Sequence, residues 1–304
     1  MQKTLKRYFP IFVVPTLIAF AFAFIIPFIE GVYLSFCKFT TVGNAHWVGL
    51  ENYKAALISQ DFTYSFWVTA AFTVISVITV NVFAFCIALL LTRKLRGTNF
   101  FRTVFFLPNL IGGIVLGYTW QQMINAVLFK YGTTIVSQFK YGFVGLIILM
   151  NWQLIGYMMI IYIAGLQNIP TELIEAAEID GAGTMTVFAK VILPTCKPIM
   201  ATIAIWSAVG QWNSFQDTLI YITDQKLYSL QYLLYTYLNQ ASSLATMVQQ
   251  SGGNVSAVAN LATQQTPTSI RMTISVIVVL PILFVYPIFQ KSFVKGIMIG
   301  SVKG

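Results

Sequence analysis

Six stretches of this chain contain no Asp, Glu, Lys or Arg and are dominated by apolar residues: 8–29, 62–92, 103–129, 141–171, 198–216 and 272–290. A helix needs about 20 apolar residues to cross a bilayer, because no water is present there to pair its backbone groups. Each run is close to that length. A seventh charge-free run, 227–270, is half Ser, Thr, Asn, Gln and Gly, which places it in water. The pattern predicts an all-α polytopic membrane protein with six transmembrane helices, 1–304 forming a single transmembrane domain. Charged residues make up 9% of the 304, against about 25% in an ordinary soluble domain. That excludes a soluble enzyme, a disordered chain and a fibrous repeat.

The first run follows Lys3, Lys6 and Arg7, as a signal peptide would. It continues through Ile25 and Phe28 toward Phe36, which is too long for a signal core and favours an uncleaved first span. Orientation follows from the basic residues. With the N-terminus inside, twelve of the 18 Lys and Arg lie on inner segments, including Arg93, Lys94, Arg96, Arg102, Lys190 and Lys197. This bias predicts a multi-pass protein with both termini cytoplasmic. It also accounts for much of the net charge of +9 without a nucleic-acid partner. The three cysteines are widely spaced and there is one histidine, His46, so neither a disulfide framework nor a His-based metal site is expected.

Two outer segments and one inner segment carry the soluble features. After the first span comes Gly49-Leu50-Glu51-Asn52-Tyr53. Before the last span, 223–268 forms an extracytoplasmic loop in which Leu227, Leu230, Leu234 and Leu238 recur at helical spacing. Ser251-Gly252-Gly253-Asn254 breaks that helix, and 255–265 has the composition of a second short one. The loop reads equally as a solvated lid or as a docking surface. On the inner side, 167–197 contains Thr171 as an expected N-cap, with Glu172 in the first turn, Ala176-Ala177 as a thin propagating surface, and Gly181 as the left-handed end. A second short helix is expected from Thr184, closed before Pro194.

Glu175-Ala176-Ala177, Gly181 and Val191-Ile192-Leu193-Pro194 resemble the EAA motif of ABC importer permeases, with Val191 in place of the usual Ile. Arg102-Thr103-Val104-Phe105-Phe106-Leu107-Pro108, Trp212-Asn213 and Phe293-Val294-Lys295-Gly296 are similar to the carbohydrate-uptake, maltose-type branch of that family. The resemblance covers nearly the whole chain and implies a type I permease fold in the bacterial cytoplasmic (inner) membrane. It also implies a second homologous permease subunit, two cytoplasmic ATPase subunits and an extracytoplasmic sugar-binding protein. Glu172, Glu175, Ala176, Ala177, Gly181, Leu193 and Pro194 would then form the ATPase-coupling segment. ATP and Mg would be bound by the partner ATPases, with no cofactor on this chain. In agreement, no Gly-Lys dipeptide occurs, so there is no Walker A loop.

Intramembrane polar and aromatic residues are the candidates for a sugar pathway. At about 1.5 Å per residue, Trp206 falls near mid-depth, Asn213 in the outer half and Asp217 near the outer edge. The three share one helical face with Gly210, which leaves room beside Trp206. In the fourth span Asn151 and Gln153 fall near the middle, with Tyr157 one turn below. Asn81, Tyr118 and Gln121 are further polar positions. Hydrogen bonding between helices is the competing role for each. Gly113-x-x-x-Gly117 reads as a helix-packing pattern.

Two other functions compete. An ion-coupled secondary transporter would want a mid-depth carboxylate and an internal repeat, and neither is visible. A membrane-embedded, glycosyltransferase-like enzyme would need clustered acids. Of the nine acids, four (Glu172, Glu175, Glu178, Asp180) lie in the inner segment. The topology is testable. A membrane-impermeant thiol label applied to intact cells should modify Gly253→Cys and spare Ala182→Cys; labelling at Ala182 would overturn the map.

Overall fold

The structure is a computed structural model that describes residues 2–39, 44–93, 96–222, 224–250 and 268–301. The expected Ser251-Gly252-Gly253-Asn254 break and the 255–265 helix lie outside these residues. The chain divides into two compact units, Met1–Thr63 with Leu234–Leu280, and Tyr64–Leu233 with Pro281–Gly304. Five helical segments are long and apolar enough to cross a membrane: Phe9–Ser35, Gln60–Leu91, Phe139–Gln167, Thr184–Trp212 and Thr268–Val285. The third expected span is not one straight helix. Thr98–Leu110 and Gly113–Tyr131 meet at an angle of 101° and make a sixth span only if counted together. Pro108 lacks an amide donor, and Ile111 and Gly112 are extended (ψ 129° and 134°), so the α-helical ladder cannot continue through 107–112.

The first and fifth spans each contain a five-residue π turn, Ala21–Ile25 and Phe188–Ile192. Each turn immediately precedes a proline-bearing helix start, Pro27 and Pro194. A proline cannot donate to the carbonyl four residues back, here that of Ala23 or Lys190. The wider turn accommodates the missing bond and the chain stays helical. Pro194 therefore does not close a helix, contrary to the expectation from sequence. Thr184–Val187 continues through the π turn into Leu193–Trp212, and the fifth span begins inside the inner segment.

In the first unit, the residues after the first span pair as two short antiparallel strands, β1 (Cys37–Lys38) and β2 (His46–Trp47), with Cys37 opposite Trp47. Buried Asn52, from helix Glu51–Ile58, donates to the carbonyls of Ser35 (3.0 Å) and Cys37 (2.8 Å). The Ser35 carbonyl also accepts from Thr273 Oγ1 at 3.0 Å. One side chain thus satisfies both the end of the first span and the start of the strand. Gly49, at φ +61°, makes the turn before that helix.

The second unit has its core where the second, fourth and fifth spans meet. Val80, Ala84, Phe85, Ala88, Met159, Tyr162, Cys196 and Ile203 are buried together there. The Tyr162 hydroxyl donates to Asn81 Oδ1 at 2.6 Å, closing a polar link between helices. Asn81 is therefore interhelical glue. Arg102 donates to the Leu91 carbonyl at 3.0 Å, a cation at the C-terminal end of the second span's helix. The closest backbone approach is at Gly156, where a Cβ would sit 1.7 Å from the Phe105 carbonyl oxygen. Gly113, expected to pack, has open space around its Cβ position.

Gly156→Val should therefore force the bent helix pair off the fourth span. Overpacking of this kind costs about 1–3 kcal/mol. Thermal unfolding in detergent should show a lowered midpoint for Gly156→Val and none for Gly210→Ala, since a Cβ at Gly210 meets nothing within 4 Å.

Candidate functional site

The inner helix Thr171–Ile179 starts one residue earlier than expected. Pro170 is the N-cap, and Thr171 makes no side-chain cap bond because it already lies in the first turn. Glu172 still faces the positive helix end. The C-terminus closes with both bonds of a Schellman motif: Ala182 N–H to the Ala177 carbonyl at 2.9 Å and Gly181 N–H to the Glu178 carbonyl at 3.0 Å. Gly181 has φ +80°, as the sequence predicts, and nothing lies within 4 Å of its Cβ position.

No residue of this helix is buried. Ile174 packs against the core of the three spans, while Glu172, Glu175 and Ala176 are exposed and Ala177 is half-buried. Leu173 and, most strongly, Ile179 (85%) and Met185 (77%) expose apolar side chains on the same segment. None of these three belongs to the motif. Their signal was legible, since large apolar residues flank the acids of a short, otherwise polar helix. Leu193 is partly buried against the same core, and Pro194 is exposed.

Within the spans, Tyr157 and Trp206 come together with ring centroids 6.3 Å apart. Trp206 is 53% exposed, and Gly210, one turn on, leaves open space. The expected single row through Trp206, Gly210, Asn213 and Asp217 does not exist. The helix ends at Trp212, Asn213 is its C-cap, and Asp217 belongs to a separate short helix, Gln216–Tyr221. Asn213 is exposed and accepts a 3.0 Å hydrogen bond from Gln231 Nε2, at the start of the outer helix Leu230–Gln250. Gln231 is a neighbour that spacing along one helix cannot reveal. Asp217 instead accepts a hydrogen bond from Ser214 Oγ. Burial pushes its carboxyl pKa up, and the Ser214 bond opposes the shift.

Asn151 donates to the Ile147 carbonyl at 2.8 Å, leaving its buried Oδ1 without a donor. Gln153 is half-buried. Trp120 and Trp152 form an edge-on pair at 5.2 Å, brought together from two helices. On the outer helix the buried positions are Leu230, Leu233 and Tyr237, and not the expected Leu234 and Leu238.

The family described as binding-protein-dependent transport system inner membrane component matches residues 96–299. The chain belongs to this family, and it is a membrane-spanning permease subunit of an ABC importer. A probable starch degradation products transport system permease protein, AmyD of Thermoanaerobacterium thermosulfurigenes, is 37% identical over 214 residues, 68% of this chain and 72% of that protein. The polygalacturonan/rhamnogalacturonan transport system permease protein YtcP of Bacillus subtilis is 28% identical over 98% of this chain and 99% of its own length. Among solved structures, a bacterial ABC transporter involved in import of the acidic polysaccharide alginate has a chain of the same fold. Its TM-score is 0.69 at 22% identity, covering 94% of this chain and 97% of that one. A family of ATP-driven permease subunits favours transport by a multi-subunit importer over an ion-coupled carrier or an enzyme.

Proposed function

We propose that this permease passes a carbohydrate of oligosaccharide size, delivered by an external binding protein, and that the helix Thr171–Ile179 couples it to a cytoplasmic ATPase. The observation that carries the sugar reading is the half-exposed Trp206 facing Tyr157 beside the open Gly210. Aromatic faces stack on sugar rings, and an exposed tryptophan against a partly buried tyrosine, beside missing side-chain volume, is a surface for one. Asn213, Asn151 and Gln153 supply amide groups for hydroxyls along the same course. The names of the relatives, transport system permeases for starch degradation products and for polygalacturonan/rhamnogalacturonan, point the same way. Asp217, which accepts from Ser214, lies beyond the break that ends the fifth helix.

The coupling reading rests on the exposed Ile179, Met185 and Leu173 around the Glu172, Glu175, Ala176 and Ala177 surface. An apolar patch of this kind on a rigid, capped helix is a docking surface for a partner with a complementary groove. ATP and Mg belong to that partner. The positive-inside bias supports a cytoplasmic location for this segment and for both termini.

Two experiments test these roles. Trp206→Ala or Asn213→Ala should lower the rate of sugar uptake in cells while the importer assembles normally; unchanged uptake kinetics in both would reduce them to packing residues. Gly181→Asp puts a side chain into a left-handed conformation, at a cost of roughly 1 kcal/mol or more. The spans should insert normally, while the ATPase dissociates or hydrolyses ATP without transport. Co-purification of the ATPase beside an uptake assay measures both, and full retention with wild-type uptake would remove Gly181 from coupling.

A further inference from the structure

The helix of the second span ends at Leu91, and the chain turns there into the helix Thr98–Phe106. Arg102 of that second helix donates to the Leu91 carbonyl at 3.0 Å, which closes residues 92–101 into a loop at the end of the span. The loop carries Arg93 and Arg96, both exposed. Arg102 is half-buried, and its buried Nε has no acceptor. No Asp or Glu occurs between Asp61 and Glu172, so this stretch supplies no carboxylate to balance the three guanidinium groups.

The helix Thr98–Phe106 has no buried residue. One side lies against the fourth span, where a Cβ at Gly156 would meet the Phe105 carbonyl oxygen. On another, Phe100 (68% exposed), Val104 (48%) and Leu107 (55%) recur at i, i+4 and i+7 and share one uncovered face. Phe101 is also exposed and meets the Phe100 ring edge-on at 5.8 Å. From Phe100 to Leu107 this stripe runs about 10 Å. Cations stand at one end of the surface and apolar side chains continue from it.

We propose that this elbow binds one anionic phospholipid, its phosphate held by Arg93 and Arg96 beside Arg102 and an acyl chain lying along Phe100, Val104 and Leu107. The surface has the layout of such a lipid, a negative headgroup joined to hydrocarbon. Arg93 stands two residues beyond the end of a 32-residue membrane helix, at the level where headgroups lie. Basic clusters directly after a membrane helix attract anionic lipids. A free anion would match the arginines and leave the apolar stripe bare, and a zwitterionic lipid would cover the stripe and leave the charge unbalanced. The site is independent of the sugar pathway and of the helix Thr171–Ile179.

The test uses the purified, assembled importer in nanodiscs of phosphatidylcholine with increasing phosphatidylglycerol, and reads the thermal unfolding midpoint. Both leaflets of a nanodisc have the same composition, so the result does not depend on which side the loop faces. The expected result is a saturable rise of a few degrees with phosphatidylglycerol, as for any ligand bound only by the native state. The double variant Arg93→Gln/Arg96→Gln should lose that rise. Lys130→Gln/Lys140→Gln removes the same charge from two other exposed positions and should keep it. A flat response in the unsubstituted importer would overturn the proposal. Equal loss in both double variants would make the response one of overall charge and overturn it as well. An equal rise on adding inorganic phosphate to pure phosphatidylcholine nanodiscs would assign the arginines to a free anion. Release of the ATPase from Arg93→Gln/Arg96→Gln with the lipid response intact would assign them to a protein contact. Either of these two results would also overturn it.

Discussion

Every backbone amide and carbonyl in the hydrocarbon layer must be paired within the protein, and the architecture depends on that requirement. Helices are the direct solution, and wherever this chain departs from a regular α-helix a local device absorbs the loss. The two π turns stand immediately before Pro27 and Pro194, where a proline removes one donor. The bend between Thr98–Leu110 and Gly113–Tyr131 stands at Pro108 and Gly112-Gly113. Just before it, the backbone of Phe105 and Phe106 lies directly against Gly156.

Polar side chains obey the same rule. Tyr162 and Asn81 satisfy each other between spans, and Asn52 and Thr273 satisfy the carbonyls freed where the first span turns into β1. Against this background the unsatisfied atoms stand out. Asn151 Oδ1 lies in the fourth span, and Gln211 Oε1 near the end of the fifth. Interhelical hydrogen bonds are worth about 0.6 kcal/mol on average in membranes. Leaving a buried acceptor unpaired costs about 1–3 kcal/mol, so such groups are better read as sites awaiting a partner than as structural glue.

The helix Thr171–Ile179 shows the opposite balance. It has no buried residue and exposes Ile179, and Met185 is exposed just beyond it. Its own stability comes from the Schellman closure at Gly181 and the anchoring of Ile174 on the core. The short link Asp180–Gly183 then joins it to a helix continuous with the fifth span, since the π turn before Pro194 lets the chain run through. The helix is thus tied to the spans both through Ile174 and through that short link.

The sequence alone determined the number of apolar segments, their placement and the left-handed Gly181, because these depend on local composition and on a backbone conformation that glycine adopts most easily. The spacing of Glu175-Ala176-Ala177 to Gly181 and Pro194 was equally legible. Only the tertiary structure decided the rest. The row through Trp206, Asn213 and Asp217 failed because the fifth helix stops at Trp212, and extrapolating 3.6 residues per turn cannot foresee a C-cap. The outer helix buries Leu233 and Tyr237 in place of Leu234 and Leu238, since its rotation is set by what it packs against and not by its own leucines. The pairs Tyr157–Trp206, Tyr162–Asn81 and Gln231–Asn213 bring together residues from different helices. One-dimensional periodicity reports which face of a helix is apolar, but the partner across that face exists only once the helices are packed.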